Sequence, residues 1–135
     1  MPQILLYYNY SKTDILNDMA GGACNVAMNA NSMGISTRLL SIVGQDAAAT
    51  ELVEAIHSQL SHFQLNQARI DTTVKTRHVV DNQHLLRIDT ESSCDPSDLD
   101  DTLRYLEEYV KDSDWVIFSD YGKHFQSRAG DIIDI

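Results

Sequence analysis

The stretch AGGACNVAMNANSMG, residues 20–34, places two adjacent glycines directly before a short helical pattern of small residues. Apolar side chains recur at helical spacing from Gly22 onward, and Gly34 stands where a left-handed residue ends many helices. A glycine pair lets a ligand approach the main chain at the helix N-terminus. Asn25 adds a donor and an acceptor that suit a hydroxyl. The stretch favours a polyol or phosphate pocket, although locally it is equally compatible with a plain tight turn beside a solvated Asn25.

Strand and helix patterns alternate on both sides of this stretch. Residues 3–10 are rich in strand-forming side chains, and the polar residues 11–18 are predicted as a loop that leads to the glycines. Residues 36–44 predict a further strand. Asp46 is placed to cap a second helix, whose apolar stripe extends to Phe63.

The second half of the chain predicts a hairpin, a helix and a buried strand. Residues 72–90 form two strand-like runs around the turn-prone Asp81, and Asp95 with Pro96 marks the start of a third helix. The apolar run 114–120 is typical of a buried parallel strand, at whose carboxyl end ligands bind. The alternation predicts an α/β fold with a parallel sheet, flanking helices and a small β appendage.

Composition limits the classes of function. The chain has 135 residues, is 43% hydrophobic and carries a formal net charge of −10, which suits one globular domain. Nucleic acids and acidic membranes attract clustered Lys and Arg, so both are disfavoured as partners. The N-terminus shows no secretory pattern, and the two cysteines lie far apart. We expect a soluble cytoplasmic protein that acts on a small polar molecule or a protein partner.

Other reactive side chains give weak patterns. His57 and His62 are expected on different faces of the second helix, and His78 and His84 lack acidic or cysteine partners at metal-binding spacing. Cys24 follows the glycines and is interpreted as a small packing residue, although a helix N-terminus can lower the pKa of a thiol. The sequence therefore predicts no metal site.

The spacing of residues 21–44 resembles the N-terminal signature of the ribokinase-like (PfkB) carbohydrate kinases. The shared features are the paired glycines, Asn25, a small residue at Ala27, Gly34, and Gly44 at the end of the next strand. Within this family, the segments GGACNVAMN, HLLRIDTE and FSDYGKH are similar to those of bacterial heptose 7-phosphate kinases, which are often fused to an adenylyltransferase. The resemblance implies a partial ribokinase-like fold.

The resemblance also implies an activity, the transfer of the γ-phosphoryl group of ATP to a sugar hydroxyl with Mg²⁺. The positions that match the family's sugar-binding turn are Gly21, Gly22 and Asn25. The positions that match the substrate side of the heptose kinases are Arg87, Asp120 and Lys123. A cationic Lys123 suits a phosphorylated sugar. Alternatively, Arg87 and Lys123 are solvated ion-pair partners.

The family pattern divides the chain into two parts within one partial kinase domain, residues 1–135. The strands around 3–10 and 72–90 match the family's β lid, which often forms a dimer contact, and the α/β core is expected over 21–66 and 96–135. Unpaired sheet edges favour self-association or a partner chain through the lid strands.

The chain departs from the family in three places. It begins after the family's first strand, whose Gly-Asp motif holds the sugar, and it has His124 where the family has glycine. It also ends before the Gly-Ala-Gly-Asp loop that carries the catalytic base. Residues 129–131 read Ala-Gly-Asp, but Arg128 replaces the first glycine, so Asp131 is not expected to be that base.

Two functional interpretations remain open. The chain is expected to be the N-terminal portion of an ATP-dependent kinase for a sugar phosphate such as heptose 7-phosphate, cut short at both ends and inactive alone. Alternatively, it is a non-catalytic sugar-binding or dimerising remnant that pairs with a full-length kinase.

Overall fold

The computed structural model describes residues 2–9, 15–81, 83–119 and 125–134, which form two sheets and their flanking helices. The strands are β1 Pro2–Asn9, β2 Ile15–Gly21, β3 Arg38–Val43, β4 His62–Gln67, β5 Val74–Val80 and β6 Gln83–Thr90. The helices are α1 Gly22–Ser32, α2 Ala47–His57, α3 Asp100–Lys111 and α4 Ala129–Ile133, with 3-10 turns at Pro96–Leu99 and Phe125–Arg128. No described helix has both the length and the apolar character needed to cross a membrane.

Four strands form a mixed sheet in the order β2-β1-β5-β6. Strand β1 pairs antiparallel with β2 and parallel with β5, and β5 pairs antiparallel with β6. The pairing of β5 with β6 is shifted between His78 and Val79, where Leu85 is the additional residue of β6. Strands β2 and β6 are the edges of this sheet.

Strands β3 and β4 form a separate parallel pair, and the main core lies between this pair and the first two helices. Leu52 and Ile56 of α2 are fully buried, because they lie on the apolar stripe of that helix. The other members of the core cluster are Ala20, Cys24, Ala27, Leu39, Val43, Ala49 and Leu60. The α/β class predicted from the alternation of elements is confirmed.

Local capping signals predicted the end of α1 and the start of α2 correctly. Helix α1 is followed by Gly34 at φ +84°, and the side chain of Asp46 accepts a hydrogen bond from the N–H of Ala49 at 2.8 Å. The predicted hairpin corresponds to β5 and β6. The Asp95-Pro96 signal begins a 3-10 turn that leads into α3.

Two predictions made from local pattern were wrong in the first half of the chain. Residues 15–18, predicted as part of a loop, belong to β2, because β1 supplies a hydrogen-bonding partner along their whole length. Phe63 and His62 lie in β4 rather than in the second helix, which ends at His57. Pairing with β3 therefore overrides the helical spacing of these residues.

The third incorrect prediction is the buried strand at 114–120, of which residues 114–119 are described. These residues are not paired in either sheet, and Trp115 is 89% exposed. An apolar run becomes a buried strand only where neighbouring strands pair with it and other elements cover both its faces. Among the described residues, none supplies that pairing.

Candidate functional site

The two glycines form the junction between β2 and α1. Gly21 is buried and ends the strand in an extended conformation, with φ −108° and ψ −176°. Gly22 follows at φ +54°, in the left-handed region that glycine adopts without a steric penalty. The chain therefore passes from strand to helix at Gly22, which is half-buried, and neither residue of the pair carries a side chain at this turn.

The first turn of α1 carries backbone N–H groups that have no partner within the helix. No side chain of the described residues caps this end, whereas Asp46 caps α2. Asn25 is exposed in the same turn, and its Oδ1 accepts a hydrogen bond from Asn29 Nδ2 at 3.3 Å. These groups can donate to and accept from the hydroxyls of a bound polyol.

Cys24 does not take part in this polar surface. Its side chain is fully buried in the core cluster, and burial raises the pKa of its thiol to about 11. The thiol is therefore protonated at neutral pH and unreactive as a nucleophile. This agrees with its interpretation as a packing residue.

Arg87 lies in the middle of β6 within a group of ion pairs. Its Nε lies 2.8 Å from Asp89 Oδ1, and Lys75 Nζ lies 3.7 Å from Asp89 Oδ2 and 3.6 Å from Glu91 Oε1. Arg87 thus has the ion-pair partner that the alternative interpretation expected. The sequence analysis did not identify Lys75 and Asp89, although the alternation of Lys75 with apolar residues along β5 placed it on one face of the hairpin.

A partly buried network of hydrogen bonds around Asp46 was not anticipated. Thr72 donates from its backbone N–H to Asp46 Oδ2 and from its hydroxyl to Asp46 Oδ1, both at 2.7 Å, and Gly44 N–H donates to Thr72 Oγ1 at 2.9 Å. Burial raises the pKa of Asp46, but the hydrogen bonds from Thr72 and Ala49 outweigh it and hold the pKa below its usual value. The network joins the turn after β3 to the segment that enters β5.

The remaining predicted positions contribute less. Asp120 and Lys123 lie outside the described residues. Asp131 is exposed in α4 and pairs with Arg128, whose Nη1 also lies 2.8 Å from Asp100 Oδ1. Among the described residues, no three His, Cys, Asp or Glu side chains gather to hold a metal ion.

Comparison with known proteins identifies similar sequences. Residues 9–126 match the model of a protein family described as "pfkB family carbohydrate kinase". The bifunctional protein HldE of Histophilus somni is 39% identical over 107 residues, a match that covers 78% of this chain and 22% of that protein. HldE of Pseudomonas entomophila is 39% identical over 116 residues, covering 83% of this chain and 24% of that protein.

A solved structure shows the same fold at low sequence identity. The tetrameric inhibited form of phosphofructokinase-2 from Escherichia coli matches 79% of this chain and 38% of its own, with a TM-score of 0.60 and 13% identity. The chain spans about a quarter of the length of the HldE proteins that it matches, 22% and 24% in the two comparisons above.

Proposed function

The chain belongs to the pfkB family of carbohydrate kinases, and from this membership we propose that it forms the sugar-binding part of an ATP-dependent kinase. The acceptor is a hydroxyl of a sugar phosphate such as heptose 7-phosphate, as the similarity of three segments to the heptose kinases implies. ATP with Mg²⁺ supplies the phosphoryl group, and we expect the protein to act in the cytoplasm. The observation that carries the proposal is the Gly21–Gly22 junction at the uncapped start of α1.

The residues of this chain act by positioning. The junction allows the sugar to contact the backbone N–H groups of α1, and Asn25 binds a hydroxyl through its amide. Arg87 lies on the sheet that the family pattern identifies as the lid. Because phosphoryl transfer depends on positioning and charge stabilisation, these groups bring the acceptor hydroxyl into place without reacting themselves.

The binding step is tested by calorimetric titration with heptose 7-phosphate, fructose 6-phosphate and ribose. We expect Asn25→Ala to weaken binding of the preferred sugar about tenfold, the effect of losing one or two hydrogen bonds. Asn31→Ala is the control, because Asn31 lies in the last turn of α1 and bonds to the Gln59 carbonyl at 2.8 Å. If the Asn25 variant and the unmodified chain bound the sugar with equal affinity, the proposal that the sugar binds at this turn would be contradicted.

The transfer step is tested by ATP consumption with the same sugars. The family's Gly-Ala-Gly-Asp loop is not found in the 135 residues, so we expect them to bind sugar without consuming ATP. Asp131→Ala should leave this result unchanged, because Arg128 pairs with the Asp131 carboxylate. Turnover that is lost in the Asp131 variant would identify Asp131 as the base and contradict the proposal.

A non-catalytic role is the second candidate, and the surface of β6 favours it. Leu85, Leu86 and Ile88 are exposed on this edge strand. An unpaired apolar edge can add a strand from a second copy or from a full-length kinase. Under this interpretation, adding the chain to a full-length relative changes that enzyme's turnover, and Ile88→Lys abolishes the change.

A further inference from the structure

Four consecutive apolar residues, 115–118, are exposed after the end of α3. Trp115 is 89% exposed and Ile117 is 71% exposed, and Val116 and Phe118 also have large exposed fractions. The side chains of consecutive residues point in different directions, so exposure of all four means that this stretch is uncovered on more than one side. We call these residues segment 115–118.

Segment 115–118 is held at both ends. Before it, the hydroxyl of Ser113 donates to the carbonyl of Tyr109 in α3 at 2.6 Å. At its end, the ring of Phe118 packs edge-to-face against that of Phe125, with 5.8 Å between the ring centroids and 82° between the ring planes. A segment whose ends are fixed loses less conformational freedom when it binds a partner.

The backbone of segment 115–118 is available for strand pairing. Its four residues are tryptophan, valine, isoleucine and phenylalanine, which all favour strands. None of the described residues pairs with it in either sheet or forms a recorded backbone hydrogen bond with it. A strand-forming stretch with unpaired N–H and C=O groups can add a strand from another chain.

The apolar area of segment 115–118 suits a contact with a second copy of itself. Tryptophan and phenylalanine bury about 150–250 Å² each, so the four exposed side chains together offer on the order of 500 Å². Two copies that cover each other's segment bury up to about 1,000 Å² in total, which is the size that a specific interface requires. The segment itself is uncharged, so the contact sets no like charges of its own against each other in a chain of net charge −10.

Twofold symmetry limits the register of such a contact. It pairs a strand antiparallel with its own copy, and because opposed residues share a face, each residue opposes one that lies an even number of positions away. A register centred on Ile117 sets Asp114 against Asp120, and like charges directly opposite one another destabilise a sheet. A register centred on Val116 sets Trp115 against Ile117, a pair of an aromatic and a β-branched residue, which stabilises a sheet.

We propose that two copies of the chain associate through antiparallel pairing of segment 115–118, with Trp115 of each copy opposite Ile117 of the other. Because both copies use the same surface, the contact closes at a dimer and does not extend to a fibre. The Gly21–Gly22 junction and Asn25 take no part in it, so the proposal is independent of the sugar-binding function given above.

The experiment exchanges charges across the proposed pair and follows the mass of the full chain by light scattering over a range of concentrations. Trp115→Lys alone and Ile117→Glu alone should each weaken dimer formation about 10- to 100-fold, because each places a charge in the apolar contact twice. An equimolar mixture of the two variants should recover the dimer. In the mixed dimer, the introduced lysine faces the introduced glutamate on one side, and Trp115 faces Ile117 on the other.

Met33 provides matched controls. It is 72% exposed at the end of α1, so Met33→Lys and Met33→Glu make the same changes of charge at an exposed apolar side chain outside the proposed contact. Both should leave the dimer unchanged. Since Trp115 and Ile117 are exposed, their variants should melt at the same temperature as the unmodified chain at concentrations where it is monomeric.

Native mass spectrometry of the mixture separates the outcomes, because a mixed dimer has a mass between those of the two homodimers. Recovery of the mixed dimer supports the pairing of Trp115 with Ile117. A chain that stays monomeric at every concentration overturns the proposal, as does a mixture that recovers no dimer. A dimer that survives Trp115→Lys and Ile117→Glu but is lost in Ile88→Lys also overturns it and assigns the contact to β6. Sugar affinity should be the same in all of these variants, so a failure of sugar binding counts against the proposed function alone.

Discussion

At the scale of single residues, the Gly21–Gly22 junction between β2 and α1 could be predicted because the conformational freedom of glycine is a local property. Paired glycines before a helical pattern require no knowledge of distant partners, and Gly22 indeed occupies the left-handed region at φ +54°. The hydrogen bonds between Asp46 and Thr72 could not be predicted, because they depend on residues that are distant in the sequence. These residues lie 26 positions apart, and only the folded chain brings them within hydrogen-bonding distance.

Gly22→Ala tests the conformational requirement at the junction. Alanine in the left-handed region costs about 1–2 kcal/mol, so the free energy of unfolding should fall by that amount in urea titrations. Gly130→Ala is the matched control, because Gly130 lies in α4 with nothing within 4 Å of an added Cβ. Gly130→Ala should leave the free energy of unfolding unchanged or raise it slightly. A loss in Gly130→Ala as large as that in Gly22→Ala would refute this explanation.

Asp46→Asn tests the charge in the buried network. Asparagine can still cap α2 through its Oδ1, but its amide nitrogen cannot accept the hydrogen bond that the Thr72 N–H donates to Asp46 Oδ2, so we expect a loss of about 1–2 kcal/mol at neutral pH. The folded-state pKa of Asp46 lies below the usual 3.8. The carboxylate therefore stabilises the fold above about pH 3.8, and its contribution fades as pH falls through the lower folded value.

Urea unfolding of both chains across acidic pH provides the measurement for Asp46. The difference in unfolding free energy should stay constant from neutral pH to about pH 4 and shrink below it. Asp101→Asn is the control, since Asp101 is 69% exposed in its side chain and should change stability little. A difference that widens on acidification would contradict the assigned direction of the pKa shift.

At the scale of elements, prediction succeeded where a signal lay within the element. Helix α2 was located by Asp46, which caps its first turn, and α3 was located by Asp95-Pro96, which begins the 3-10 turn that leads into it. Strand β4 was missed because Phe63 also fits the helical spacing of the preceding apolar stripe, although Phe63 and Leu65 alternate with polar residues and both pack against the core. The prediction of a buried strand at 114–120 was wrong because an apolar run forms such a strand only where a neighbouring strand pairs with it.

Thr72→Val tests how the two sheets are joined. Valine keeps the shape but removes the hydroxyl that donates to Asp46 and accepts from the Gly44 N–H, leaving a buried donor unsatisfied. We expect a loss of about 2 kcal/mol or more and faster amide exchange at the start of β5. Thr72→Ser retains the hydroxyl and should lose only about 1 kcal/mol, the effect of one buried methyl group. Equal losses would show that packing alone matters at this position.

At the scale of the whole molecule, the ion pairs around Asp89 show what no linear pattern conveys. Lys75 lies in β5 and Arg87 and Asp89 lie in β6, and the antiparallel register of the two strands places Lys75 opposite Asp89. For the apolar surface, the sequence shows which residues are apolar but not whether they are buried. The run at 114–120 was recognised as apolar, but the exposure of its described residues depends on the tertiary arrangement, with Trp115 at 89% and Ile117 at 71%.

We expect this exposed apolar surface to bind a second copy of the chain. The net charge of −10 opposes association, so dimer formation should strengthen as added salt screens the repulsion. Trp115 is the only tryptophan, and its emission should shift to shorter wavelength as protein concentration rises. Light scattering should show the mass increase over the same range. Ile117→Lys should abolish both changes if residues 115–118 form the contact, whereas Ile88→Lys should do so if β6 forms it. A single monomeric mass with constant emission at high salt would contradict the prediction.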